Sequence, residues 1–350
     1  MIDGVLNRGV ERVRGVAAIL VTLSHAPLML PGVATKPPFM LLSAFNVAVD
    51  ALFAISGFVT FLSLRRRRDV ATSFVCSTSR YYVGRMVRIA PLAWLSALVL
   101  ATLGTGLSRD VRAADLGAAL TFTANVHWAP CFGGAWDRCG DPRLLSHYWA
   151  LATEAMFWLA APFLAVTPRR WASAATAAIL IFGLFVPRPW GAFWWTFRWE
   201  AFVVGLWVGH VVDAAGPTLR RLGPMEPLEA IVLMSLAAGV AALGLSWFGG
   251  ETVVVVAILS GWIVLRAAAS EPASEGFGGR ALRWVAARSY ALYLLHPAAY
   301  ATVGAAAAWA GASVAIAATL ATSFVIAHWA TTLVERPIRD AARRWASERD

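Results

Sequence analysis

Apolar runs long enough to cross a bilayer recur along the whole chain, and nothing else limits its fold so severely. A helix needs about 20 predominantly apolar residues to span the hydrocarbon layer. Such runs are read at roughly 15–34, 43–64, 89–106, 146–166, 171–187, 195–213, 228–247, 252–267, 287–304 and 310–334. Inside hydrocarbon every backbone polar group must find a partner within the protein, so runs of this kind form helices. The expected fold class is therefore all-α: a polytopic transmembrane helix bundle of about ten spans. Residues 1–350 are expected to form a single integral-membrane domain (core 10–340) with no separate soluble domain. Only 14% of the residues are charged, against about 25% in soluble domains.

An even number of spans puts both termini on one side, and the arginines say which. Arg8, Arg12 and Arg14, the run Arg65 to Arg68, then Arg80, Arg85 and Arg88 all fall on that side, as do Arg280, Arg283, Arg336 and Arg339. Cytoplasmic loops carry the excess of basic residues, so both termini are expected in the cytoplasm and the chain in the cytoplasmic membrane. The same placement answers the net charge of +10. Positive residues gathered at the ends of apolar runs serve orientation, and no nucleic-acid partner is expected. The basic start and apolar Gly15–Leu30 have the make-up of a leader. No small-residue cleavage site follows, so this first helix is expected to be retained. Ala113–Trp128 reads as a short interfacial or re-entrant helix on the outer side.

Of the three cysteines, Cys131 and Cys139 flank a Gly/Trp-rich outer loop and Cys76 stands in an Arg-rich stretch. No CxxC-type spacing is present, so no metal site is expected. Cys131 and Cys139 either form a disulfide, which an oxidising compartment would preserve, or remain two unlinked loop cysteines.

An ionisable side chain at bilayer depth costs about 2.5–3.5 kcal/mol, so it faces a cavity or a partner. His25, Asp50, Glu154 and His296 each lie within an apolar run. His25 falls about 15 Å along the first helix from Gly15. Eleven residues separate it from Arg14, which returns the helix to nearly the same face. An imidazole at such a depth suits general-base work near neutral pH. Asp50, followed by the small pair Ser56-Gly57, either orients an imidazole or pairs with an arginine. Glu154 shares a helix face with His147, two turns earlier, and is either a site carboxylate or part of an interhelical network. Arg85 and Arg88 stand at the inner end of the third run, where arginine forks match phosphate geometry. Anionic lipid is the simpler partner for Arg65 to Arg68. Arg198 and Glu200 are expected to form an ion pair with each other. Trp128, Trp136, Trp190, Trp194 and Trp195 in the outer loops read mostly as interfacial belt residues.

Taken in order, these pieces resemble the integral-membrane acyltransferase 3 family. They are Arg14-Gly15 with His25, Asp50 with Phe53 and Ser56-Gly57-Phe58, Arg85-x-x-Arg88-x-x-Pro91, Trp149-Ala150-Leu151-x-x-Glu154, Phe197-Arg198, Ser289 to Pro297, and Glu335-Arg336-Pro337. Leu52 and Ala150 depart from the usual phenylalanine and serine, which bears on pocket shape more than on chemistry. The resemblance implies an O-acyltransferase that takes an acyl group, expected to be acetyl, from cytosolic acyl-coenzyme A as co-substrate. The acceptor it implies is a hydroxyl of a carbohydrate-type molecule. It gives the catalytic role to His25 with Glu154 and Asp50, and the donor contacts to Arg14, Arg85 and Arg88. Whether His25 acts as general base or becomes acylated stays open. A transporter or flippase for a lipid-linked sugar or small metabolite is the alternative, since buried ionisable residues also line transport paths.

Overall fold

The computed structural model describes residues 8–30, 33, 36–70, 73–185, 198–219, 225, 227–242, 250–269 and 276–347. Trp190, Trp194, Trp195 and Phe197 lie outside the described residues. Every regular element among the described residues is helical. The longer ones are α1 (Arg8–Ser24), α2 (Ala48–Val70), α3 (Phe74–Gly106), α4 (Ala113–Leu120), α5 (Ala124–Phe132), α6 (Tyr148–Val166) and α7 (Arg169–Phe185). They continue as α8 (Glu200–Leu219), α9 (Pro227–Ala242), α10 (Glu251–Ala269), α11 (Phe277–Ala286), α12 (Ser289–Ala299), α13 (Ala312–Ala330) and α14 (Arg336–Ser347).

Five helical stretches among the described residues are long and apolar enough to cross a membrane: Leu41–Arg65, Phe74–Gly106, Tyr148–Val166, Glu251–Ala269 and Ala312–Ala342. The described parts of the other apolar runs are largely helical; α8 has 20 residues, while α1 and α12 are short or interrupted. α1 has 17 residues and stops at Ser24, because Pro27 lacks the N–H that would continue the ladder and its ring crowds the preceding turn. His25 caps a new four-residue turn, Ala26–Met29. α12 contains Pro297 and gives way to a wide π turn at Tyr300–Gly304, where the register slips by one residue.

Burial separates a central helix from lipid-facing ones. In the apolar window of Leu41–Arg65, 83% is buried within the protein, against 39% for α3 and 33% for Ala312–Ala342. On α3 the exposed row Trp94, Leu95, Leu98 and Val99 presents an apolar face, as a helix against hydrocarbon requires. α2 crosses α8 closely because both carry glycine at the crossing. A Cβ on Gly57 would collide with the Phe202 carbonyl, and one on Gly205 with the Ala54 carbonyl. Small residues that let backbones approach are the usual means of helix association in membranes. Gly15 does the same for α1 against the backbone of Leu282 in α11.

Before α6, Cys131 and Cys139 are joined by a disulfide with Cα atoms 6.1 Å apart. Beside it the buried Asp115 carboxylate accepts from the backbone N–H groups of Arg112 and Gly140, each at 3.1 Å. Its other oxygen lies 2.7 Å from His127 Nε2. Asp115, His127 and Cys139 are three ligand types within one small group, but the Cys139 sulfur is committed to the disulfide.

Candidate functional site

The helices α1, α2, α3, α6 and α12 enclose a cavity of about 120 Å³. Arg14 reaches it from α1, Ser56 from α2, Arg85 and Arg88 from α3, Glu154 from α6, and Tyr290 and Tyr293 from α12. The structure thus brings together four of the six residues singled out from sequence: Arg14, Arg85, Arg88 and Glu154. Local structure explains each placement. α3 is 33 residues long, about 50 Å at 1.5 Å per residue. It therefore outruns a hydrocarbon layer of roughly 30 Å and carries its arginines at one end. Arg14 can face the cavity because its neighbour Gly15 lets α1 close against α11.

Arg85 is held rigidly. Its guanidinium donates to Thr60 Oγ1 at 2.7 Å and lies over the Tyr81 and Trp158 rings, each at 5.4 Å. Arg14 and Arg88, by contrast, have no hydrogen bond or ion pair with any described residue, and both are only half-buried. Glu154 accepts a hydrogen bond from Ser56, which gives the Ser-Gly pair of α2 two separate tasks: Ser56 fixes the carboxylate and Gly57 makes the α8 crossing. Three guanidinium groups therefore share the cavity with one carboxylate. That excess of fixed positive charge favours an anionic ligand.

Asp50 does not reach the cavity. Its fully buried carboxylate pairs with Arg198, whose Nε donates at 3.0 Å, and Arg198 lies 5.5 Å from the Trp149 ring centroid. Of the two readings of Asp50, the arginine pair is the one observed. This also corrects the expected Arg198–Glu200 pair: Arg198 belongs to Asp50, and the Glu200 carboxylate packs instead beside Gly183 of α7. The reason is geometric: Glu200 begins α8 while Arg198 precedes it outside the helix, so helical spacing does not bring the two together.

His25 is likewise outside the cavity lining. The stripe shared with Arg14 breaks where α1 ends, and the His25 ring instead meets two other imidazoles. Its centroid is 4.6 Å from that of His296, edge to face, and His296 is 5.4 Å from His147. Tyr293 stands between this cluster and the cavity: it lines the cavity, its ring is 5.4 Å from His147, and its hydroxyl donates to the His147 carbonyl. Because a carbonyl only accepts, the 2.8 Å contact of His25 Nδ1 with the Val21 carbonyl places the proton on Nδ1. Nε2 is then the basic nitrogen. The partners missed from sequence are Ser56 for Glu154 and the His296–His147 contacts. His296 stood out as an intramembrane imidazole, but nothing in its motif indicated His25 as its neighbour.

With fold and site in view, comparison with known proteins assigns the class. Residues 7–328 match the model of the acyltransferase domain of the acyltransferase 3 family, and the chain belongs to that family. It is a multi-pass, all-helical membrane acyltransferase. No curated protein and no solved structure is significantly similar to it.

Proposed function

We propose that this acyltransferase moves an acyl group, acetyl in the first instance, from cytosolic acyl-coenzyme A to a hydroxyl of a carbohydrate-type acceptor. The observation that carries the reading is the cavity in which Arg14, Arg85 and Arg88 converge on a single lining carboxylate and in which Arg14 and Arg88 form no ion pair with any described residue. Coenzyme A presents several phosphates, and guanidinium forks suit them. With about ten spans and both termini cytoplasmic, the arginine end of α3 faces the cytosol, where the donor is found. The disulfide between Cys131 and Cys139 supports the same orientation, since it would persist on an oxidising outer side.

In this reading the phosphates sit among the arginines and the thioester arm extends past Tyr293 toward His25. The acceptor comes to the half-buried His25 from the other side. His25 Nε2 removes the hydroxyl proton as the oxygen attacks the thioester carbonyl, and the thiolate leaves. Glu154, held by Ser56, orients the donor end of the cavity. Asp50 acts at a distance by holding Arg198. The test is product mass: membranes carrying the protein, given acetyl-coenzyme A, add one acetyl unit to the acceptor, and His25→Ala abolishes this while the protein stays folded in the membrane. Full activity in His25→Ala would rule out its catalytic role. A transporter reading predicts acceptor movement that is indifferent to the thioester.

A further inference from the structure

An imidazole that takes a proton inside a membrane becomes a cation in a low-dielectric site and needs a partner. In a Ser-His-Asp arrangement a buried carboxylate fills that need. Here none does. Among the described residues no carboxylate hydrogen-bonds to His25, because Asp50 is paired with Arg198 and Glu154 is bound by Ser56. On its Nδ1 side the His25 ring meets Ser24 Oγ and the Val21 carbonyl, and the titratable side chain packed against it is His296. His296 is fully buried, and its Nδ1 lies 2.8 Å from the Tyr293 carbonyl. That contact places a proton on Nδ1 and leaves a lone pair on Nε2. His296 Nε2 has no hydrogen-bond partner among the described residues. Leaving a buried acceptor unmet is costly, and such a group calls for an explanation.

We propose that His296 is the proton partner of His25. The inference rests on the acyltransferase reading above and assigns it a second imidazole. In the resting site both Nε2 atoms carry lone pairs and have nothing to exchange. Once His25 Nε2 holds the acceptor's proton it is a donor, and the orphaned Nε2 of His296 becomes its complement, directly or across one water. The balance is complete. The acceptor O–H bond breaks and its proton goes to the His25–His296 pair. The new C–O bond forms as the C–S bond breaks, the sulfur leaves with the electron pair, and the shared proton returns to it to give the free thiol. His296 also sits on the route this return requires, since its ring contacts His147 and Tyr293, and Tyr293 lines the donor cavity. His296 is a positioning residue for His25, not a group that touches the acceptor.

The experiment measures thiol release from acetyl-coenzyme A by the full-length protein in nanodiscs, with 4-nitrophenyl glucoside as the hydroxyl acceptor. Rates are taken in mixtures of light and heavy water. Wild type should give a curved proton inventory, the signature of two protons in flight. His296→Gln, which keeps an acceptor atom but cannot take a proton, should lose roughly 100-fold in kcat, leave KM for acetyl-coenzyme A unchanged, and give a linear inventory. A linear inventory in wild type overturns the proposal even if the variant does not fold. A folded His296→Gln with kcat within twofold of wild type also overturns it and leaves the acyltransferase reading intact. A wild type that releases no thiol removes the acyltransferase reading and this inference with it.

Discussion

At the scale of single residues, the structure separates side chains that hold the molecule together from those that face its cavity. Asp50 and Arg198 belong to the first group. They are 148 residues apart in sequence, and the pair is almost entirely removed from solvent. Removing one partner of a buried pair leaves an uncompensated charge and costs roughly 3–5 kcal/mol. Asp50→Ala and Arg198→Ala should each destabilise the detergent-solubilised protein by about that free energy, read as a lower melting temperature, and the double Leu variant should lose less than either. A loss in the double equal to the sum of the singles would contradict the pairing. Glu154 was legible in the sequence because a charge within an apolar run must have a purpose, and Arg14, Arg85 and Arg88 because they stand at the inner ends of such runs. The partner of Asp50 was not, since nothing local near residue 50 points to residue 198.

At the scale of elements, two features decide the architecture. The first is the α2–α8 crossing, where Gly57 and Gly205 allow the backbones to touch. Gly57→Ala or Gly205→Ala should cost roughly 1–3 kcal/mol through overpacking. Gly239→Ala on α9, where an added Cβ meets nothing within 4 Å, should be neutral or slightly stabilising, because alanine is the better helix former. Folded yield by size-exclusion chromatography separates the two classes, and equal yields would count against the close crossing. The second feature is the break at His25. Helical periodicity carried from Arg14 to residue 25 predicts a shared face, but Pro27 ends the helix, and the bend that follows depends on packing against α12. The sequence therefore showed that His25 is a buried imidazole without showing that it sits beyond Tyr293 from the arginines. The long apolar runs were legible as helices for the opposite reason: their length alone leaves no other backbone solution.

At the scale of the whole molecule, charge and polarity are divided between two ends. The end carrying the disulfide is tied by its own network: Asp141 pairs with Arg143 at 2.7 Å and Arg109 at 3.2 Å. Burial raises the Asp141 carboxyl, but the hydrogen bonds and charge of Arg143, with Arg109, outweigh it and hold it below its ordinary 3.8. A carboxylate of depressed pKa stabilises above its unfolded value and loses that contribution as pH falls through its folded value. Acidification below pH 3.8 should therefore loosen this region first. Hydrogen exchange of residues 107–147 should show it, and Asp141→Asn should remove the pH dependence. The opposite end holds the arginine cavity, on which the account depends most. Calorimetry of acetyl-coenzyme A binding to the purified wild type and to Arg88→Ala tests it directly, because Arg88 lines the cavity without holding any described residue in place. The account predicts binding to wild type that weakens with added salt, and at least a tenfold loss, about 1.4 kcal/mol, in the variant. Equal affinity in the two proteins, or no binding to either, would contradict it.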